Sequence, residues 1–207
     1  MMKQSIIRGT GRYVPPREVS NEDLSRWMET SDEWIRQRTG IEKRHWIPEE
    51  GGVGASDLAL EASKIALKRA GWTAEDVDLI IFATLSPDIF FPGSGCLLQT
   101  KLGLASTPAL DIRQQCTGFL YGLVTADAYI RSGYARRVLL AGAEVHSTGL
   151  DISTRGRDVA AIFGDGAGVV CIEGADAGDG AGILAAALHA DGAGAASLMI
   201  EGPASRQ

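Results

Sequence analysis

The sequence predicts an α/β fold around a buried, largely parallel sheet. Three observations carry this. Residues 77–85, 108–112 and 137–145 are short apolar runs without strict alternation, the pattern of strands covered on both faces. Helical patterns at 94–102 and 117–132 separate them, and parallel neighbours need such crossovers. The 117–132 segment carries Phe119, Leu120, Leu123, Val124, Ala126, Ala128 and Ile130 around much of its circumference, so a buried helix is expected.

The remaining elements follow in order. Residues 5–11 read as a short strand before the Pro15-Pro16 turn. Ser20 is a helix cap, with Asp23 three residues on facing the helix dipole, and this helix is expected to reach about Glu29. Ser31 caps a second short helix that stops before Gly40, and residues 41–47 are extended. Ser56 is the expected cap of an amphipathic helix to Ala70, with Leu58, Ala62, Ile65, Ala66 and Ala70 on one face and Gly71 as its stop. Residues 167–172 and 183–188 read as further strands. The Gly/Ala/Asp turn at 174–182 between them is the best boundary, dividing residues 1–174 from 175–207.

Composition excludes several classes. The formal charge of −6 disfavours wholesale nucleic-acid binding. Residues 1–50 carry nine basic and nine acidic side chains, whereas 151–207 carry three and eight, so a basic patch must come mainly from the first part. Cys96, Cys116 and Cys171 form neither a disulfide framework nor a zinc motif, and no metal site is expected. There is no signal-peptide pattern and no membrane-length apolar run, so the expectation is a cytoplasmic protein with no membrane or nucleic-acid partner.

The candidate chemistry centres on Cys116, where a strand feeds a helix. Peptide dipoles and free N–H groups at a helix N-terminus favour a thiolate, and Gly118 leaves room for a substrate. A buried structural thiol is the common alternative. Cys96 also begins a helix, after P-G-S-G, and local pattern hardly separates the two; Cys171, inside a strand, belongs to the core. Thr30, Trp34 and Arg38 fall at i, i+4 and i+8, where an indole and a guanidinium could hold a purine and a phosphate, or simply serve as a core anchor and a solvated face. Lys43, Arg44, Arg155 and Arg157 could extend that patch. F-G-D-G-A-G at 163–168 lacks the phosphate-loop spacing and leads into a strand. It reads as a tight turn, with Phe163 shaping a cavity wall. No motif marks His45, His146 or His189 as a basic partner.

Together these segments resemble β-ketoacyl-acyl carrier protein synthase III, a condensing-enzyme family of the thiolase superfamily. The match runs through G-x-G-x-Y-x-P-P near the start, S-D-E-W-I-R-Q-R-T-G-I at 31–41, F-P at 91–92, Q-C-T-G-F around Cys116 and I-F-G-D-G-A-G at 162–168. The resemblance implies a thiolase-like layered α-β-α-β-α fold, of which this chain covers mainly the N-terminal half with a mixed, largely parallel sheet. It implies that Cys116 takes an acyl group from acyl-coenzyme A, and that the acyl-enzyme condenses with malonyl-acyl carrier protein with loss of CO2, initiating fatty-acid or related acyl-chain synthesis. Thr30, Trp34, Arg38 and Arg155 would hold coenzyme A, with Trp34 and Arg155 flanking the adenine. Phe91 would cross a homodimer interface into the partner's acyl pocket, and Cys96 would be structural. Acyl-coenzyme A is a substrate, so no cofactor is implied.

The chain departs from the family in four places. No segment matches the family's decarboxylating His and Asn, and the family continues well past the position of Gln207, so a portion of a longer polypeptide is expected. The stretch between Gly156 and Phe163 is about two residues longer than usual, and Gln114-Gln115 replaces small residues before Cys116. These changes keep two other readings open: a specialised acyltransferase or long-chain condensing relative, and a non-catalytic partner subunit.

Overall fold

The computed structural model describes residues 3–176, 182–200 and 202. In chain order the elements are β1 (Lys3–Tyr13), β2 (Arg17–Ser20), α1 (Asn21–Ser25), α2 (Asp32–Thr39), β3 (Lys43–Trp46), α3 (Ala55–Ala70), β4 (Leu79–Ala83), α4 (Ser94–Lys101), β5 (Ala109–Ile112), α5 (Gly118–Arg131), β6 (Arg137–Glu144), α6 (Arg157–Ala160) and β7 (Gly166–Asp176).

Five strands form one mixed sheet in the order β1-β7-β6-β4-β5. Parallel pairing is confined to β5, β4 and β6, while β7 runs antiparallel to both β6 and β1. The expectation of a largely parallel sheet thus holds only for one side, from β6 through β4 to the edge strand β5. Strands buried on both faces look alike in sequence whichever way they run, so periodicity could not separate these cases. Along β4, Ile80 and Phe82 face the α3 side, while Leu79 and Ile81 face α5. Each strand residue therefore meets a helix layer, which explains the unbroken apolar runs.

Helix α3 packs closely on β1. A methyl group added at Gly11 would run into the Ala62 carbonyl oxygen, and one at Gly9 into that of Ala66. The buried face is Leu58, Ala59, Ala62, Ser63, Ala66 and Leu67, with the Ser63 hydroxyl donating to the Ala59 carbonyl at 2.7 Å. Ile65, expected on that face, is exposed instead, because the small residues bring the helix down one position further round. Gly11→Ala should therefore destabilise the protein by about 3 kcal/mol. An unchanged urea midpoint would show that α3 can lift off β1 freely.

The α3 cap is also displaced from its expected place. The helix begins at Ala55 with Gly54 as cap, and Gly71 ends it at φ 71°. Ser56 instead donates its N–H and hydroxyl to Asp88, and its hydroxyl accepts from Lys101, tying α3 to the loop before α4 and to α4 itself. Helix α1 stops at Ser25 rather than near Glu29, although its Ser20–Asp23 capping box forms as expected.

Helix α5 buries only a stripe of Gly118, Gly122, Ala126 and Ile130 against the sheet. Leu120 is 54% exposed, so the expectation of burial nearly all round is corrected: one stripe of the helix meets the sheet, and Tyr121 and Arg131 on its flank reach the carbonyls of His189 and Ile183. Residues 183–188 are not a strand either. Ile183 donates one backbone bond to Ser5 at 2.9 Å, and the next residues lie mostly exposed without a ladder. The turn expected at 174–182 falls partly outside the described residues, β7 continuing to Asp176. No helix among the described residues is long and apolar enough to cross a membrane.

A smaller unit beside the sheet positions the first candidate groups. Strands β2 and β3 form an antiparallel ribbon, packed with α1, α2 and α6 around Val19, Leu24, Ile35, Trp46 and Ala160. Arg44 is buried there and donates to the Val19 carbonyl, Asn21 and the Ala161 carbonyl, with burial pulling its pKa below the usual guanidinium value. Asn21 in turn donates to Asp32 and to the Ile41 carbonyl, which clamps α2 at both ends.

Candidate active site

Cys116 lies in a single 3-10 turn, Gln115–Thr117, between β5 and α5. Gln115 has φ 43°, the left-handed region that costs a non-glycine residue of order 1–3 kcal/mol. This tight turn leaves the Cys116 thiol exposed immediately before the helix. A methyl added at Gly118 would touch Ala83 at 3.3 Å, and one added at Gly142 would sit 3.5 Å from Phe119. The start of α5 is thus seated on the C-terminal ends of β4 and β6, the edge of parallel strands where ligands usually bind.

The two rival thiols now differ in surroundings. Cys96 is also exposed, in the first turn of α4. The N-terminus of α4 is already engaged, because Gly95 donates its N–H to Asp111 at 2.9 Å. Burial pushes the Asp111 carboxyl above its ordinary pKa despite that bond. No side chain caps α5; the Gly118 N–H donates to the Gln115 carbonyl, and no side chain takes the N–H groups of the turn that follows Cys116. Cys171 is fully buried, and desolvation pushes its thiol up to about 12, as expected of a core residue.

Two carboxylates brace the loops around this edge. Glu144, at the end of β6, accepts from the Leu85 and Ser86 N–H groups and from the Thr84 and Ser86 hydroxyls. Asp165, 4% exposed, accepts from the N–H groups of Ile47, His146 and Ser147 at 2.7–2.9 Å and from the Ser147 hydroxyl at 2.5 Å. It is the aspartate of F-G-D-G-A-G. The tight turn expected at 163–168 is not formed: residues 163–165 lead directly into β7, which starts at Gly166, and the carboxylate's work of joining three chain segments has no local signature. Phe163 lies half-buried just before it, its ring 4.8 Å from that of His146.

The expected coenzyme A residues are partly brought together. The Arg38 guanidinium lies 4.2 Å from the Trp34 ring centroid. Thr30 Oγ1 is buried without a hydrogen-bond partner among the described residues. Arg155 is not over the indole: its side chain is 89% exposed and pairs with Asp151 at 2.8 Å. Hydrogen bonds from Ser153 and then Arg155 lower Asp151 to about 2. Arg157 takes that position instead, 4.4 Å from the Trp34 centroid, and donates to the Glu29 carbonyl at 2.8 Å. The Glu29 N–H donates to Thr154, so the 154–157 segment is docked on the chain entering α2. The two extra residues between Gly156 and Phe163 were the available signal, since they shift which arginine keeps its spacing from Phe163. Phe91 stands at an exposed apolar tip with Ile89 and Phe90, 86% exposed itself.

Comparison with known proteins gives one family for the fold. A family model described as 3-oxoacyl-[acyl-carrier-protein (ACP)] synthase III matches residues 110–201. A synthase III from Thermus thermophilus superposes with a TM-score of 0.88 at 38% identity, over 97% of this chain and 60% of its own. The chain belongs to the 3-oxoacyl-[acyl-carrier-protein] synthase III family. A synthase III from Aquifex aeolicus VF5 is similar at 42% identity and TM-score 0.78, over 83% of this chain and 54% of its own. The priming β-ketosynthase of the R1128 polyketide pathway is similar at 30% identity and TM-score 0.77, over 84% and 51%. The chain therefore spans between half and three-fifths of the length of these synthase III relatives, and the sheet with its flanking helices is the thiolase-like fold they share.

Proposed function

We propose that this chain carries the nucleophile of a condensing enzyme that starts acyl-chain synthesis. The Cys116 thiolate attacks the carbonyl of an acyl-coenzyme A, and coenzyme A leaves as its thiolate. Malonyl-acyl carrier protein then loses CO2, and the carbanion attacks the Cys116 thioester. The Cys116 thiolate is expelled, giving a 3-oxoacyl-acyl carrier protein. The observation that carries this reading is the strained Gln115 turn, which holds an exposed thiol at the uncapped start of α5. Incubation with radiolabelled short-chain acyl-coenzyme A should place label on the Cys116 peptide, and unlabelled malonyl-acyl carrier protein should then discharge it as CO2 is released. Label elsewhere would remove the proposal. Labelling and turnover without CO2 release would favour a specialised acyltransferase instead.

Coenzyme A would lie along the Trp34 face, where Arg38 and Arg157 supply positive charge and Thr30 an unused hydroxyl. Arg157 rather than Arg155 is assigned to the indole, because it is the arginine beside it. Trp34→Ala should weaken coenzyme A binding by about 1–3 kcal/mol, by analogy with base–aromatic stacking. In calorimetric titrations Arg157→Ala should also weaken it, and Arg155→Ala should change it little. The opposite ranking of the two arginines would restore Arg155. Phe91, on its exposed apolar tip, is assigned to a homodimer contact that closes the partner's acyl pocket.

A further inference from the structure

His146 lies two residues beyond Glu144, on the stretch leaving the C-terminal edge of β6. Two contacts place that edge beside Cys116: the start of α5 rests on Ala83 and Gly142, and Glu144 grips the Thr84–Ser86 loop that continues β4. The imidazole is mostly buried, its side chain 16% exposed, and its ring packs against Phe163. Its backbone N–H is held by Asp165 at 2.7 Å, so its position is braced from below. Among the described residues no hydrogen bond reaches either ring nitrogen. The nearest carboxylate oxygen, Glu144 Oε2, is 3.9 Å from Nε2 and is already engaged by Thr84 and Ser86. An imidazole offers a donor and an acceptor, and here neither has a protein partner among the described residues, so water is what a bound chain would displace from the ring.

We propose that His146 is a specificity-determining residue that selects acyl groups bearing a neutral hydrogen-bonding oxygen, such as a hydroxyl, over plain alkyl groups of the same length. The inference rests on the condensing-enzyme reading and names its substrate class. A plain alkyl chain lying along Phe163 would displace water from the imidazole and return no partner. A hydroxyl would satisfy it, and sites built around such a bond discriminate strongly against analogues that lack it. An anionic acyl chain is disfavoured, because the Glu144 carboxylate stands beside the ring.

The test compares acylation of Cys116 by 3-hydroxybutyryl-coenzyme A and butyryl-coenzyme A, read by intact-protein mass spectrometry. The wild-type protein should favour the hydroxylated thioester about tenfold or more in kcat/KM. His146→Leu should lose or reverse the preference, and His146→Gln, which keeps a polar group, should retain its direction. Equal rates or a butyryl preference in the wild type, or a preference untouched in His146→Leu, would overturn the inference, while acylation itself would leave Cys116 standing as the acyl-accepting nucleophile. No acylation of Cys116 by either thioester would remove both.

Discussion

Cys116→Ala should abolish the acyl-enzyme, lowering the rate of label incorporation from acyl-coenzyme A by roughly 10⁴-fold or more, as removal of a catalytic nucleophile does. The same measurement on Cys96→Ala should stay near the wild-type rate. The contrast is sharp because both thiols are exposed and both lie at a helix start. Access therefore cannot distinguish them. What differs is the helix end each one meets. Asp111 already holds the Gly95 N–H of α4, while α5 has no side-chain cap and follows a turn forced into the left-handed region at Gln115. If Cys96→Ala lost labelling while Cys116→Ala kept it, the assignment would be reversed. If neither variant lost labelling, the acyl-enzyme would be excluded altogether.

Asp165→Ala is expected to be the most damaging structural substitution, costing about 3–5 kcal/mol in denaturant unfolding. The carboxylate is buried and accepts four hydrogen bonds, three from backbone N–H groups on two separate segments and one from Ser147. Removing it strands all four donors in a place with little water. Asp165→Asn should cost less, because its amide oxygen still accepts. A loss below about 1 kcal/mol for Asp165→Ala would mean that these loops find other partners. The same substitution should loosen the chain at His146 and so blur any selectivity resting on that ring.

Much of the fold was legible because its signals are local. Ser20 and Ser31 cap their helices, Gly71 ends α3 in the left-handed conformation, and the three strands β4, β5 and β6 appear where the apolar runs stand. The failures occurred where a local signal was claimed by a distant partner. Ser56 looks like a cap but bonds Asp88, thirty-two residues away. Ile65 fits the apolar face on paper, but Gly9 and Gly11 let α3 settle onto a neighbouring face. Residues 183–188 have the composition of a strand, but among the described residues only one backbone bond joins them to β1.

The candidate site divides in the same way. The nucleophile turn, the Trp34–Arg38 spacing and the F-G-D-G-A-G motif are contiguous patterns, and the sequence by itself determined them together with the family they resemble, although that motif leads straight into β7 instead of turning. Tertiary structure decided the rest. It put Arg157 rather than Arg155 over Trp34, joined Asp165 to Ile47, His146 and Ser147, and gave Cys96 a helix end already bonded by Asp111. The reason is physical. Periodicity and capping depend on residues within a turn or two of one another. Stacking Arg157 on the Trp34 indole, or satisfying the buried Asp165 carboxylate, depends on groups from 18 to more than a hundred residues apart, which only the folded chain brings within reach.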